Sequence, residues 1–460
     1  MRLVPADADT IGSLAARYRR GEASPVEVVG RLLERIDEVE PKVNAYITVD
    51  REGALRQAAE AERRLASPRP HPPSPMLGIP VAVKDSIDVR GLPATVGSRL
   101  FRDRVARSDA RSVVLLRRAG AIVIGKTNLD EFGMGVATQN SHFGGTVNPH
   151  DPRHDPGGSS GGSAAALASG LCVAALGGDT AGSIRAAAAA CGVVGLKPTA
   201  GRVSTRGAFP HNPTRDTVGP MARTVEDTAR LLGVIAGYDH LDASSVDSPV
   251  PDYAADLDRG VSGLRIGAIP ASDLRGDHPA VRGNFAASLR ALDRAGAEVE
   301  EVELPLLADA VRAGWAFLAE TAWVHRRWFP TRAEAYSPRV RHVLTEIGEL
   351  PAADLAAAHE LRRTMITRYR SLLRGRDALV LPAVPTPAPR IGQETITLGG
   401  TELVPIVAIL RYLPLFNLIG FPALAVPNGA DRHGLPTSVQ IVARPWEESV
   451  AFRIGRALES

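Results

Sequence analysis

Gly157-Gly158-Ser159-Ser160-Gly161-Gly162-Ser163 runs straight into Ala164–Ala168, joining a glycine-rich loop to a helix-forming stretch. Glycines let the backbone approach closely, and amides at the start of a helix are free to bind. Alone, such a loop is equally a flexible surface linker. The uncharged run from Pro156 to Gly178 argues instead that it is buried. That run has too little Leu, Ile or Phe to enter a membrane and reads as a packed soluble segment.

Outward from the loop, the pattern alternates between short β-branched runs and helical ones. Ile79–Lys84 reads as strand, Ser112–Ala119 as helix and Ala121–Ile124 as strand, which is the rhythm of an α/β core. Residues 263–268, 377–382 and 437–443 supply further strands after a helical insert at about 305–375. Ser24-Pro25-Val26-Glu27 is a capping box with proline at the first helical position, predicting an amphipathic helix up to Pro41. A second helix, Arg51 to about Leu65, precedes Pro68, Pro70, Pro72, Pro73 and Pro75. The expected plan is a single large α/β domain with a mixed β-sheet core covered by helices. It divides into an N-terminal helical layer (1–66), a Pro-rich linker (67–77) and a core (78–460) holding the insert.

The 460 residues are 44% hydrophobic and 23% charged, which excludes a disordered or fibrous chain. With 54 basic and 51 acidic residues the net charge is +3, and the two signs are interspersed, so no nucleic-acid partner is expected. Cys172 and Cys191 cannot build a disulfide framework and suit a reducing compartment. Acidic Asp7 arrives before any secretory apolar region can form, so a cytoplasmic protein with no membrane association is expected.

Three motifs mislead. Gly120-Ala121-Ile122-Val123-Ile124-Gly125-Lys126-Thr127 fits the phosphate-loop pattern, but its strand lies between the glycines, where the amides are committed to neighbouring strands. Ser159 and Ser160 each centre a Gly-x-Ser-x-Gly, yet Pro149, Pro152 and Pro156 exclude the central strand a nucleophile elbow requires. His150 and His154 have the spacing of metal ligands, but Pro152 interrupts any helix between them, and solvated loop histidines are expected.

Three segments carry chemistry. The strand Gly78–Asp85 ends in Lys84, which alternation places on the face opposite Val83 and Asp85. A lysine buried without a close anion loses the hydration of its charged form, so its pKa falls toward neutrality and it becomes a base. A snorkelling or ion-paired lysine is the competing expectation. The second segment is the glycine-rich loop. The third, Gly177-Gly178-Asp179-Thr180-Ala181-Gly182-Ser183-Ile184-Arg185, offers Ser183 as a nucleophile after small residues whose amides can hold an oxyanion.

Together these segments resemble the amidase signature family. The resemblance covers roughly residues 78–237, with Gly195-Leu196-Lys197-Pro198-Thr199 as the expected continuation, and more loosely 377–458, through Phe416-Asn417-Leu418 and Gly420-Phe421-Pro422. It implies a catalytic Lys84–Ser159–Ser183 triad, the serines 24 positions apart, with Thr180, Ala181 and Gly182 at the oxyanion hole. Met134, Gly158 and Tyr412 are candidate substrate contacts. The resemblance implies hydrolysis of a small-molecule carboxamide through a seryl acyl-enzyme, with no metal or organic cofactor, and it points to a homodimer. Ala181 replaces the family's commoner glycine, and Ala187 stands where many members have proline.

The glutaminase subunit of the tRNA-dependent amidotransferase shares this triad and is the alternative reading. That subunit usually shows Thr-Glu-Asn ahead of the glycine-rich loop, whereas this chain has Thr138-Gln139-Asn140, which looks more like a free-standing amidase. Thr214-Arg215-Asp216-Thr217-Val218-Gly219-Pro220 resembles amidases acting on arylacetamides. A catalytically silent scaffold is the remaining alternative. In the insert, Trp315, Phe317, Trp323, Trp328 and Phe329, with Arg326 and Arg327, fit either a pocket wall or helix packing.

Overall fold

Period-two alternation in a strand buried on both faces places two apolar layers back to back. Val81, Val83, Val123 and Leu176 enter one layer, and Ala82, Ile122, Ile124 and Ala175 the other. The computed structural model describes residues 9–67 and 74–459, so Pro68, Pro70, Pro72 and Pro73 of the proline-rich linker lie outside it.

The sheet has eleven strands: β1 (Tyr46–Val49), β2 (Pro80–Lys84), β3 (Ile122–Thr127), β4 (Ala174–Asp179), β5 (Val194–Lys197), β6 (Thr217–Ala222), β7 (Arg265–Ala268), β8 (Glu298–Glu301), β9 (Ala378–Pro382), β10 (Ala423–Ala430) and β11 (Pro436–Ala443). Their spatial order is β1-β3-β2-β4-β6-β5-β10-β11-β9-β7-β8. β2 runs parallel to β3 and β4, while β1, β5, β6, β10 and β11 make antiparallel pairs, so the sheet is mixed.

Helices α1 (Ile11–Arg20), α2 (Pro25–Val43), α3 (Arg51–Ala66), α4 (Arg111–Ala119), α5 (Gly161–Ala168) and α6 (Ser183–Cys191) cover the half of the sheet that carries the candidate chemistry. Residues of α5 and α6 pack on the Ala82 layer. Lys84, two residues after Ala82, faces that same side. Residues 307–372 form a run of helices.

Two local expectations shift. Helix α2 runs through Pro41 to Val43 and stops at Asn44 with φ 54°. A proline in the last turn removes only one late hydrogen bond, so it does not end the helix. The described part of the N-terminal segment, residues 9–66, holds a strand besides its helices, because β1 pairs antiparallel with β3 and ties it to the sheet edge. Tyr46-Ile47-Thr48-Val49 has strand-forming residues, but four positions between two helices are too few to show a period.

Helix α5 is buried on every side, which small residues make possible. A Cβ on Gly162 would lie 2.4 Å from the Asn128 carbonyl oxygen and 2.6 Å from that of Ala45. Gly162→Ala is therefore expected to destabilise the fold by about 1–3 kcal/mol in urea unfolding. A change below about 0.5 kcal/mol, within the range of surface substitutions, would contradict this packing.

Candidate active site

The parallel strands β2 and β4 end side by side, and their last residues are Lys84 and Asp179. Lys84 is 3% exposed. Its Nζ donates to Ser159 Oγ at 2.8 Å and Ser160 Oγ at 2.9 Å, and approaches the Gly178 carbonyl at 3.5 Å. No carboxylate touches it among the described residues. Burial lowers its pKa to about 8, against the pull of Asp130, Asp179 and Asp216 at longer range. Asp85 does turn away, accepting from Lys126 Nζ at 2.9 Å and from Thr95. Lys126, the lysine of the misleading phosphate-loop pattern, is thereby consumed in a fully buried ion pair.

The glycine-rich loop delivers the two hydroxyls. The Gly158–Ser159 peptide is cis. Gly157, at φ 70°, lies so close to α6 that an added Cβ would come within 2.7 Å of the Ala186 carbonyl. Ala187 of the same helix meets this glycine, and a Cβ there would lie 2.9 Å from its Cα. Ser160 Oγ donates to the Gly178 carbonyl at 3.0 Å and accepts from the Gly178 amide at 3.3 Å, locking the loop to β4. Asp130 braces the other side, accepting from the Ala137 and Thr138 amides at 3.2 and 2.9 Å.

Ser183 is the first residue of α6, after Gly182 at φ 123°. Buried Asp179 shapes this turn by accepting from the Gly182 amide at 2.8 Å and the Ile184 amide at 3.1 Å. Burial would raise the pKa of Asp179, but Arg185 and Asn417 outweigh it and leave about 2. Arg185, itself fully buried, donates to Asp179 at 3.0 and 3.1 Å, to Asn417 Oδ1 at 2.6 Å and to Gln440 Oε1 at 2.5 Å. The Phe416-Asn417-Leu418 motif thus reaches the site as a brace behind the turn.

The Gly182 amide, expected at the oxyanion hole, is committed to Asp179 and cannot serve there. The amides of Thr180, Ala181 and Ser183 have no acceptor among the described residues and remain available. Ala181 is not among the residues with positive φ, so its methyl costs the turn nothing.

Ser183 lines a cavity of about 180 Å³ together with Met134, Gly158, Thr180 and Ala181. A second cavity of about 270 Å³ contains Lys84 and Ser159 and shares Gly133, Thr180 and His211 with the first. No hydrogen bond joins Ser183 Oγ to Ser159, although the Ser160 amide donates to the Ser183 carbonyl at 3.3 Å. Tyr412 lines neither cavity. Its hydroxyl donates to Asp277 at 2.7 Å in the core, while its neighbours Leu410 and Pro414 face the Ser183 cavity. Among the insert aromatics, Trp315 lines that cavity, Trp328 packs on Phe101, and exposed Trp323 stacks under Arg326.

Of the histidines of the apparent metal motif, His154 is buried and His150 half-buried. His154 is buried beside Asp151, and His150 Nε2 lies 3.0 Å from the Cys191 carbonyl. Among the described residues no cluster of three or more potential ligands could hold a metal ion, and no helix is long and apolar enough to cross a membrane.

A deeply buried lysine on two serine hydroxyls, beside a serine-bearing turn with free amides, is the equipment of a serine hydrolase that works without histidine. The sequence profile of the amidase family matches residues 27–451, and this chain belongs to the amidase signature family. It is an enzyme that hydrolyses amide C–N bonds. The chain is 39% identical to the A subunit of glutamyl-tRNA(Gln) amidotransferase from Akkermansia muciniphila, covering 98% of each sequence. It superposes with a TM-score of 0.93, at 33% identity and 98% of each chain, on a structure described as "an unexpected vestigial protein complex" that reveals the origins of an s-triazine catabolic enzyme. The corresponding amidotransferase chain of Thermotoga maritima superposes with a TM-score of 0.83 at 33% identity, over 100% of this chain and 96% of that one.

Sequence reasoning passed over Ser160, although it centres its own Gly-x-Ser-x-Gly, and over Asp130, whose role depends on a loop closing around it. Asp179→Asn leaves Arg185 short of its buried counter-charge. It is expected to lower stability by about 3–5 kcal/mol in denaturant unfolding. A loss below 1 kcal/mol would show that the turn does not depend on this pair.

Proposed function

We propose that the chain releases ammonia from a primary carboxamide by way of an acyl-enzyme on Ser183. The observation that carries this is the Lys84 amine, buried, short of a counter-ion and bonded to Ser159 and Ser160. Neutral Lys84 takes the Ser159 proton as Ser159 takes that of Ser183. The Ser183 oxygen adds to the amide carbon, and the amides of Thr180, Ala181 and Ser183 hold the developing oxyanion. The proton returns through Ser159 to the leaving nitrogen, ammonia departs, and water then cleaves the ester to free the carboxylate.

Glutamine is the first reading for the amide, with further subunits receiving the ammonia. Eight relatives named as the A subunit of this amidotransferase, at 37–40% identity over at least 94% of their length, support it. They favour it over the arylacetamide reading, which rests on the Thr214–Pro220 motif. A second reading, a small carboxamide without an ammonium group, is supported by the cavity. Its wall is largely apolar with two arginines, and no Asp or Glu lines it to pair an α-ammonium.

Purified chain assayed with glutamine, glutaramate and phenylacetamide separates these readings. Ammonia from glutamine, stimulated by partner subunits, fits the first, and preference for glutaramate fits the second. Absence both of turnover and of Ser183 labelling by a fluorophosphonate would overturn the proposal and leave a scaffold. Lys84→Ala is expected to lower kcat/KM by about 10²–10⁴. The protonated amine is inactive, so wild-type kcat/KM should rise about tenfold per pH unit below about 8 and level above it. A flat profile between pH 6 and 9 would contradict Lys84 as the base.

A further inference from the structure

Resting on the acyl-enzyme reading, we propose that Arg215 anchors a carboxylate on the acyl part of the substrate, so that the preferred substrates are monoamides of dicarboxylic acids. Arg215 is 4% exposed and lines the Ser183 cavity. Its Nε donates to Asn212 Oδ1 at 3.0 Å, and its guanidinium lies 5.4 Å from the centre of the Phe317 ring. No described residue accepts a hydrogen bond from Nη1 or Nη2. Asp216 is occupied by Thr180 and the amides of His211 and Asn212, and Glu320 by Thr214. A buried guanidinium with two free NH2 groups at a cavity feels Asp216 and Glu320 but has no carboxylate in contact, and a substrate carboxylate matches that fork.

The setting is rigid. Asn212 Nδ2 donates to the Phe317 carbonyl, and Thr321 Oγ1 donates to the His211 carbonyl at 2.8 Å, clamping the loop to the insert helices. Burial lowers the pKa of Arg215 only to about 10, so it stays cationic at neutral pH. Beside it, His211 is held neutral, and its buried Nδ1 lacks a partner. The other arginine of the cavity, Arg339, is engaged with Asp130 and the Met134 carbonyl. One free fork in about 180 Å³ suits one carboxylate.

Calorimetric titration of the full chain with glutarate, and with neutral valeramide as control, tests this without turnover. Arg215→Met is expected to weaken glutarate binding at least 30-fold, as for a buried charge pair losing one partner. The ratio of kcat/KM for glutaramate over valeramide should fall by a similar factor. If Arg215→Met does not fold, Arg215→Lys, which keeps the charge but loses the fork, should still weaken glutarate several-fold. Absent glutarate binding by wild type, binding within threefold of wild type in the variant that folds, or equal loss for valeramide would overturn the inference. Failure of the acyl-enzyme reading would appear separately, as an unlabelled Ser183 with glutarate binding intact.

Discussion

The site depends on an amine that is almost wholly buried. Lys84 ends a strand buried on both faces, and its Nζ meets two hydroxyls and a carbonyl instead of a carboxylate. Desolvation penalises the ammonium, while Asp130, Asp179 and Asp216 act from too far to restore it fully. Hydroxyls can donate to a neutral amine or accept from a charged one, so the same contacts survive both protonation states. An aspartate in direct contact would have fixed the charge. The nearest one in sequence, Asp85, is spent on Lys126.

The surrounding architecture holds hydroxyls and amides around that amine. Helices α5 and α6 approach the sheet closely because their residues are small, and the two serines sit where the glycine-rich loop enters α5. Asp179, Arg185, Asn417 and Gln440 form a buried ionic and amide cluster behind the turn carrying Ser183. Its members come from residues 179 to 440, so the site exists only once the β10–β11 region has joined the sheet. The cluster takes the Gly182 amide for itself and leaves without an acceptor those of Thr180, Ala181 and Ser183, residues that line the cavity.

Much of this was legible in the sequence wherever local chemistry decides. The capping box at Ser24, the strand ending in Lys84 and the burial of the glycine-rich loop follow from spacing and residue type. What stayed hidden depends on partners distant in the chain. Whether the Gly182 amide is free is decided by the rotamer of Asp179, and whether Tyr412 reaches the cavity by which side of a short turn it occupies. Strand β1 was missed because four residues show no period. His154 was expected in solvent because a proline signals a loop but does not say what covers it. Arg215 stood in a quoted motif, yet its unpaired Nη groups become visible only when Phe317 and Asn212 are in place.

Relatives and cavity place different weights on the substrate, but both rest on the same chemistry at Lys84. The most direct measurement of it is an NMR titration of the lysine side chains, with the Lys84 resonance assigned by its loss in Lys84→Arg. A midpoint near pH 8 is expected for Lys84. A midpoint close to the ordinary lysine value of about 10.4 would contradict it, because the amine would then remain charged throughout the working range.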